Sequence, residues 1–385
     1  MLEKIKYLTA GESHGLGLLG ILDGIPSGLD IDKEYIRIQL KRRQMGFGRS
    51  SRMKIESDFA QIYCGIRHGY TIGAPIGLII ENKDSKNWKD IMSVDKSTYD
   101  RKITLPRPGH ADLAGIMKFG FDDIRNVIER SSARETAMRV AIGAICRKLL
   151  NELDINVCSR VVQIFDIIDA SAMPKGLTYN EINELADKSD VRCIDKKVEK
   201  KMIDAIKYAK KQGDSVGGVI EIHCNGLPYG LGSYTQWDKK IQSKISETIL
   251  SINAFKGIEF GAGFSASDKY GSQIHDEINY SQNKFTRKSN NAGGIEGGMT
   301  NAQPLAMKIS MKPIPTLVKP LDSVDINTKK PMKAHKERTD SCAVPAASVI
   351  AENLLCIVIA DSILSKFGGD SIEQLKSHMT RTAQF

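Results

Sequence analysis

The sequence has 385 residues, with 55 Lys and Arg against 46 Asp and Glu, so its formal net charge is +9. Its 41% hydrophobic and 26% charged residues are ordinary for a globular protein and exclude a disordered or collagen-like chain. The excess of positive charge favours an anionic partner, either a nucleic acid or a small polyanion.

The segment GESHGLGLLG near the N-terminus contains a glycine pattern and a histidine. Gly15, Gly17 and Gly20 match the Gly-x-Gly-x-x-Gly pattern of dinucleotide-binding loops. Such a loop opens a helix, but two further glycines and Pro26 follow, and they would break one. The glycines therefore predict a turn or a tightly packed strand, and His14 becomes the candidate functional residue.

Arginines cluster around the Gly-Phe-Gly turn of the segment 41–53, KRRQMGFGRSSRM. Their guanidinium groups bind carboxylates or phosphates in two-point contacts, so a folded loop could wrap a small molecule with several anionic groups. A nucleic acid would satisfy the same charges, but no helix-turn-helix, zinc or RNP-type signature is evident. A small polyanion is favoured, with the candidate ligands Arg42, Arg43, Arg49 and Arg52.

Two histidines lie in glycine-flanked loops beside a carboxylate residue. His14 follows Glu12, and His110 precedes Asp112 in the irregular segment 106–113. Because histidine exchanges protons near neutral pH, the pair suggests two separate proton transfers. The histidines show no metal-ligand spacing, so we predict no metal site.

Ser132 and Glu135 form a capping-box pattern that starts a helix with an apolar stripe behind it. Arg130 and Arg134 flank this helix start, where backbone N–H groups and the helix dipole attract anions. The two arginines could equally pair with surface carboxylates beside a well-capped helix. This segment by itself leaves both interpretations open.

Later segments predict a mixture of helices and strands. Solvated or amphipathic helices are predicted at 195–211 and 235–250, a deeply buried helix at 346–364, and strands at 217–224 and 305–312. Trp237 is expected on the apolar face of its helix, and the last strand ends at Lys312. Because no regular strand-helix-strand alternation is present, the pattern predicts an α+β fold.

Long segments without regular structure are uncommon in a compact domain and are usually functional. Besides 41–53 and 106–113, we expect 288–301 and 312–342 to be irregular. The seven cysteines include no Cys-x-x-Cys pair, which indicates reduced thiols. No secretory segment or long apolar span is evident, so we predict a cytoplasmic protein with one domain over residues 1–385.

Several long motifs, in order along the chain, resemble the chorismate synthase family. GESHGLGLLGILDGIPSG resembles its N-terminal signature, ERSSARETAMRVAIGAI (129–145) its central one and RTDSCAVPAASVIAENLL (338–355) its C-terminal one. RRQMGFGRSSRMKIESD, RPGHAD, SINAFKGIEFG and AGGIEGGMTN also match. The resemblance runs from about residue 8 to residue 364. One departure is Thr339, where the family usually has Ser or His.

The resemblance implies a fold and a reaction. The family fold is a β-α-β sandwich with helices between antiparallel sheets, assembled as a homotetramer. Its members convert 5-enolpyruvylshikimate-3-phosphate to chorismate by 1,4-anti elimination of phosphate, in the shikimate pathway to aromatic amino acids. They require reduced FMN without net oxidation, because the flavin donates an electron transiently and recovers it. An external source of reduced FMN is expected, with NADPH as an indirect reductant.

The resemblance also implies roles for individual residues. His14 would protonate the departing phosphate, His110 would balance charge at the flavin N1 side, and Asp340 would assist proton handling at N5. The substrate would be held by Ser13, Arg43, Arg49, Arg52, Arg134 and Arg338. FMN contacts would fall on Arg130, Ser131, Ser132, Asn253, Ala254, Gly297, Lys312, Pro313, Ile314, Pro315, Thr316 and Arg338.

Two rival classes are a basic nucleic-acid-binding module and an anion-binding flavoprotein without turnover. Binding to unrelated duplexes that falls steeply with salt would favour the first. FMN binding without phosphate release would favour the second. The expected partner is the small-molecule substrate, with no nucleic acid and no membrane.

Overall fold

A computed structural model describes residues 2–49, 58–96, 101–337 and 339–382. The α-helices in these ranges are α1 Lys33–Gln44, α2 Asp112–Phe119, α3 Arg125–Ser131, α4 Thr136–Asn151, α5 Tyr179–Asp187, α6 Lys196–Gln212, α7 Ile241–Leu250, α8 Gly271–Ile274, α9 Val344–Phe367 and α10 Ile372–Thr382. Short 3₁₀ helices lie at Lys83–Trp88, Ala133–Glu135, Trp237–Lys239 and Gly263–Ala266.

The strands in the same ranges are β1 Lys6–Ala10, β2 Gly17–Asp23, β3 Gln61–Cys64, β4 Ile66–Arg67, β5 Tyr70–Thr71, β6 Ile76–Glu81, β7 Asn156–Ile164, β8 Ile167–Ile168, β9 Gly218–Asn225, β10 Tyr229–Gly232, β11 Phe255–Phe260, β12 Ile278–Ser281, β13 Lys284–Arg287, β14 Ile295–Glu296, β15 Met299–Asn301, β16 Leu305–Met311, β17 Asp322–Val324 and β18 Pro331–Lys333.

Two antiparallel sheets enclose a layer of helices. One sheet has the order β1-β2-β6-β3 and the other β11-β16-β9-β7-β8. Helix α4 packs on β2 and β6 of the first sheet, whereas α9 packs on β7 and β9 of the second. The two helices also pack on each other and on α1. This arrangement confirms the α+β class and the predicted β-α-β sandwich.

Helix α9 fills the centre of the sandwich. By length and composition it could cross a membrane, but its apolar window is wholly buried inside the fold. Gly143 on α4 lets α9 approach closely, because a Cβ at this position would lie 2.4 Å from the Asn353 carbonyl oxygen. The buried helix predicted at 346–364 is therefore confirmed.

The glycine-rich segment after His14 forms the tightly packed strand β2, and the dinucleotide-loop interpretation is excluded. A Cβ at Gly17 would lie 2.6 Å from the Ile80 carbonyl oxygen of β6. A Cβ at Gly20 would lie 2.5 Å from Met138 Sδ of α4. These two glycines thus allow β2 to pack closely against the core, since neither adopts a positive φ.

The other predicted elements are confirmed with exceptions. The strands β9 and β16 occupy the predicted segments, and the helix α6 matches 195–211 closely. Trp237 was wrongly placed in the core: it is 73% exposed, because the α-helix begins only at Ile241. The segments expected to be irregular contain the end of α1, the short strands β14 and β15, and the hairpin of β17 and β18.

A buried carboxylate joins the central helices. Glu352 of α9 accepts hydrogen bonds from Arg42 Nη1 of α1 at 2.9 Å, Arg147 Nη1 of α4 at 2.6 Å and Arg192 Nη2 at 2.9 Å. Arg42 Nη2 donates a further bond at 3.1 Å, and Ser159 Oγ of β7 donates another at 2.5 Å. Burial acts to raise the pKa of Glu352, but the guanidinium groups outweigh it and hold this pKa well below its usual range.

Arg42 was predicted to bind a small polyanion, and this prediction is wrong. Its guanidinium is buried, and besides Glu352 it binds Asp187 Oδ2 at 2.6 Å. Sequence alone could not separate Arg42 from its neighbour Arg43, because both end the same helix and differ only in the direction that they face.

We expect Glu352→Gln to lower the free energy of unfolding by about 3–5 kcal/mol, because removing a buried charge leaves its partners uncompensated. Urea unfolding followed by circular dichroism measures the change. Glu184→Gln, at an exposed position of α5, is the matched control and should change the stability by less than about 0.5 kcal/mol. Equal stabilities of the two variants would contradict the structural role of Glu352.

Candidate active site

A cleft of about 1040 Å³ lies among the segments that connect the regular elements. Its lining comes from the loop before β2, the loop before α2, the junction of α3 and α4, the turn between α7 and β11, and the segment after β16. This volume lies at the upper end of the range for small-molecule sites.

Most of the predicted site residues meet in this cleft. Its lining includes Ser13, His14, Arg43, Arg49, His110, Arg130, Ser131, Ser132, Arg134, Asn253, Ala254, Lys312, Ile314, Pro315, Thr316 and Asp340. Arg52 and Arg338 lie outside the described residues.

Pro313 and Gly297 do not line the cleft. Pro313 is exposed between lining neighbours. Gly297, with φ 59°, joins β14 to β15 in a separate three-stranded sheet with β10. The segment 288–301 had been expected to be an irregular loop. Instead it contains the paired strands β14 and β15, which place Gly297 outside the cleft of this chain.

His14 is 5% exposed and binds Glu129 of α3. Its backbone N–H donates to Glu129 Oε2 at 2.8 Å, and its Nδ1 lies 2.8 Å from Oε1. Because an ionised carboxylate only accepts hydrogen bonds, Nδ1 carries a proton. The imidazole ring stacks on Trp88 with 3.9 Å between ring centres. The carboxylate in contact with His14 is not Glu12, the nearest one in sequence, but comes from 115 residues further along the chain.

Asn82 fixes the loop that carries His14. Its Nδ2 donates to the carbonyl oxygens of Glu12 at 3.0 Å and Gly15 at 2.9 Å, with a longer contact to Ser13. Its Oδ1 accepts from Arg134 Nε at 2.9 Å. One buried amide therefore connects the histidine loop to a guanidinium of the opposite wall.

Arg43 and Arg134 share the carboxylate of Asp58. Arg43 Nη1 lies 3.3 Å from Asp58 Oδ2, and Arg134 Nη1 binds Oδ1. Burial lowers the pKa of Arg43 to about 10, although Asp58 opposes this effect. Asp58 therefore brings two guanidinium groups together at the cleft wall.

Arg49 and Asp340 form an ion pair across the cleft mouth. Arg49 Nη1 lies 3.0 Å from Asp340 Oδ2, and both side chains are largely buried. Beside them, Thr339 Oγ1 donates to the Thr316 carbonyl oxygen at 2.9 Å. Two chain segments that line the cleft are thus joined by a hydroxyl at the position that departs from the family pattern.

His110 contacts Asp112, the carboxylate residue that lies beside it in the sequence. Its Nδ1 lies 2.5 Å from Asp112 Oδ1, and Arg107 Nη2 lies 3.3 Å from its Nε2. Arg107 also binds Asp112 Oδ2 through Nε at 2.8 Å and donates to Thr316 Oγ1 at 2.8 Å. Burial acts to raise the pKa of Asp112, but His110 and Arg107 outweigh it and lower this pKa well below its usual range.

The start of α4 differs from the predicted capping box. Ser132 Oγ accepts from the Arg134 backbone N–H at 3.3 Å and caps a 3₁₀ turn, whereas the Glu135 side chain binds Arg139. Arg130 donates to the carbonyl oxygen of Thr9 at 2.8 Å rather than to a surface carboxylate. Arg134 pairs with the buried carboxylate of Asp58, and both flanking arginines line the cleft.

The turn between α7 and β11 supplies polar groups to the same cleft. Asn253 Nδ2 donates to the Ser131 carbonyl oxygen at 2.7 Å. Ala254 adopts a left-handed φ of 68°, which is uncommon for a residue with a Cβ and often marks a functional site. Its carbonyl accepts from the Lys312 backbone N–H at 2.9 Å, while Lys312 Nζ donates to the Gly109 carbonyl oxygen at 2.6 Å.

Sequence reasoning missed several residues of the site, namely Asp58, Asn82, Trp88, Arg107, Arg125 and Glu129. Asp58, Arg107 and Glu129 stood within the family motifs and could have been noticed as charged residues beside the predicted arginines and histidines. The others contact the site from distant parts of the chain. Among the described residues, no group of three or more His, Cys, Asp or Glu side chains is arranged to hold a metal ion.

Known proteins match this chain over nearly its full length. The sequence profile described as chorismate synthase matches residues 5–364. A protein of Listeria welshimeri named chorismate synthase is 52% identical over 380 residues, covering 97% of each chain. One of Enterococcus faecalis with the same name is 52% identical over 382 residues, covering 98% of each. A crystal structure titled as chorismate synthase aligns with a TM-score of 0.80 and 38% identity, covering 100% of this chain and 98% of the other.

We expect Asn82→Ala to destabilise the protein by about 1–3 kcal/mol, because it leaves buried carbonyl groups without their hydrogen-bond donor. Thermal or urea unfolding measures this loss. Asn87→Ala is the matched control, since Asn87 is exposed and donates a single bond to Asp84 at 2.8 Å. A loss no greater than that of the control would show that Asn82 does not hold the loop.

Proposed function

The chain belongs to the chorismate synthase family, and we propose that it eliminates phosphate from 5-enolpyruvylshikimate-3-phosphate to give chorismate, with reduced FMN as cofactor. The observation that supports this proposal is the meeting of two carboxylate-bound histidines with several guanidinium groups in one cleft. That set of groups suits a compact substrate with two carboxylates and one phosphate.

The charge balance of the cleft favours a polyanion. Arg130 and Lys312 bind backbone carbonyls rather than carboxylates in the described part of the chain. These uncompensated cations lie on a partly buried surface, where charge-assisted contacts to carboxylate and phosphate are strongest. We therefore assign substrate binding to this wall, with Arg52 and Arg338 as further predicted ligands.

The same cleft contains groups that fit FMN. Ser131 Oγ is buried and has no hydrogen-bond partner among the described residues, so it is available to a bound molecule. Ser132, Asn253, Lys312 and Thr316 line the same cleft and offer further polar groups. When bound, reduced FMN supplies transient electron donation to the substrate. Gly297 was predicted to contact FMN, but it does not line the cleft of this chain.

We assign the proton steps to three side chains. His14, fixed through Nδ1, exchanges its proton with the departing phosphate through Nε2. His110 holds a proton at Nδ1 against Asp112, beside the cationic Arg107. Asp340 is held in place by its ion pair with Arg49 and would assist proton handling at the flavin N5.

We also propose a cytoplasmic homotetramer. In support, Leu8, Leu19 and Ile21 on one face of the first sheet are 71%, 51% and 53% exposed, which is typical of a surface covered by another chain. The described cysteines form no disulfide. Multi-angle light scattering of the purified protein would measure the assembly.

We expect the purified protein to release inorganic phosphate from 5-enolpyruvylshikimate-3-phosphate under anaerobic conditions with dithionite-reduced FMN. A phosphate assay and the absorbance of chorismate measure the reaction. A parallel reaction with oxidised FMN and NADPH alone should be inactive, because we propose an external source of reduced flavin. Absence of phosphate release in both reactions would contradict the proposed function.

Two other outcomes would favour the rival classes. FMN binding without phosphate release would indicate a flavoprotein without turnover. Salt-sensitive binding to unrelated DNA duplexes, without phosphate release, would indicate a nucleic-acid-binding protein.

We expect His14→Ala to lower kcat by about 10²–10⁴-fold while substrate binding persists, because general acid catalysis typically contributes this much. Anaerobic steady-state kinetics and a binding titration separate the two effects. His275→Ala, at an exposed position outside the cleft lining, is the matched control and should retain its rate. An unchanged kcat in His14→Ala would remove His14 from the mechanism.

A further inference from the structure

We infer that Glu129 is a positioning residue that orients His14 and favours its protonated form, and that Trp88 reports the protonation of this histidine. The inference rests on the proposed role of His14 as a proton donor. It concerns two residues that touch His14 from different elements, one from α3 and one from the 3₁₀ helix Lys83–Trp88.

Glu129 holds both the backbone and the side chain of His14. One carboxylate oxygen accepts the backbone N–H at 2.8 Å, and the other lies 2.8 Å from Nδ1. The Glu129 carboxylate is itself buried, and the Glu129 carbonyl oxygen accepts from the Ser13 backbone N–H at 2.9 Å. The imidazole is thereby fixed with Nδ1–H towards Glu129, which assigns proton exchange with the substrate to Nε2. The geometry follows the general rule that a third group orients a catalytic base or acid.

Glu129 is ionised at neutral pH. Burial acts to raise its pKa, but the hydrogen bonds and charge of His14, with a smaller contribution from Arg125, outweigh burial and lower it. A buried anion in contact with an imidazole favours the imidazolium form. Protonation of His14 is therefore coupled to this carboxylate.

Other charged groups surround the pair. Arg125 Nη1 lies 3.2 Å from Glu129 Oε1 and 3.0 Å from Glu337 Oε1, so Glu337 balances much of its charge. Glu12, in the loop of His14, is exposed, and Asp84 binds the Trp88 indole on the neighbouring 3₁₀ helix. Glu129 lies in direct contact with the His14 ring, so removing its charge changes the field at this ring strongly.

Trp88 provides an optical reporter of His14. The two rings stack with 3.9 Å between centres and an interplanar angle of 29°. Protonated imidazole in contact with indole quenches its fluorescence, whereas neutral imidazole quenches it much less. The sequence has two tryptophans, and Trp237 is 73% exposed outside the cleft lining. Trp237→Phe therefore leaves Trp88 as the single indole.

The experiment uses the full chain with Trp237→Phe, without added flavin. We expect the Trp88 emission to rise with pH as His14 loses its proton. His14→Gln should abolish this transition and thereby assign it. Glu129→Gln should move the midpoint to lower pH by about one pH unit or more, the size expected for loss of an adjacent opposite charge. Glu337→Gln, which removes a carboxylate that is paired with Arg125, is the control and should move the midpoint less.

Glu129→Asp tests whether the carboxylate must contact His14, because it keeps the charge but shortens the side chain by one methylene. Its midpoint should lie between those of the parent and Glu129→Gln, and its kcat should be reduced less than that of Glu129→Gln. This variant also keeps the inference testable if Glu129→Gln does not fold, which circular dichroism would show. In the pH dependence of kcat, the decline at high pH should begin at lower pH in Glu129→Gln, an effect that a purely structural role would not produce.

An unchanged fluorescence midpoint in both Glu129 variants would overturn the inference, as would an equal shift in Glu337→Gln. An emission transition that persists in His14→Gln would overturn the role of Trp88 as reporter. These results are separable from the proposed function, because the titration needs no substrate, cofactor or turnover. Absence of phosphate release with the expected titration would contradict the function and leave the pairing of Glu129 with His14 intact.

Discussion

Burial of Glu352 among three guanidinium groups constrains how the central helices can pack. The carboxylate is satisfied only when α1, α4 and α9 lie in their observed relative positions, because each helix contributes a charged partner. Arg42 occupies one of these positions at the end of α1, and its neighbour Arg43 then faces the cleft. Two adjacent residues of one helical turn therefore serve different parts of the fold: Arg42 belongs to the core ion cluster, and Arg43 belongs to the cleft wall.

A second pattern recurs around the cleft: buried carboxylates hold several of its arginines and both of its candidate catalytic histidines in place. Asp58 lies between two arginines, Asp112 between Arg107 and His110, and Glu129 between Arg125 and His14. Such partners fix rotamers and tautomers before a ligand arrives, so little reorganisation is needed on binding. This explains why segments without regular structure can still present a defined set of side chains.

The sequence predicted the parts of the fold that depend on local periodicity. Strand β16 and helix α9 followed from their apolar patterns, and the resemblance to a family supplied the layered architecture and most of the cleft lining. The sequence alone could not identify Glu129 as the partner of His14, and it could not identify Arg42 as a core residue. Both depend on contacts between segments more than 100 residues apart, which neither spacing nor propensity encodes.

Helix α9 has a consequence for synthesis on the ribosome. Both sheets of the sandwich are complete in sequence by Met311, yet the helix that fills the space between them begins only at Val344. Nascent chains that stop before this point would expose the apolar inner faces of two sheets to water and to each other. Such surfaces favour aggregation, so the intermediate is a natural client for chaperones until the last long helix emerges.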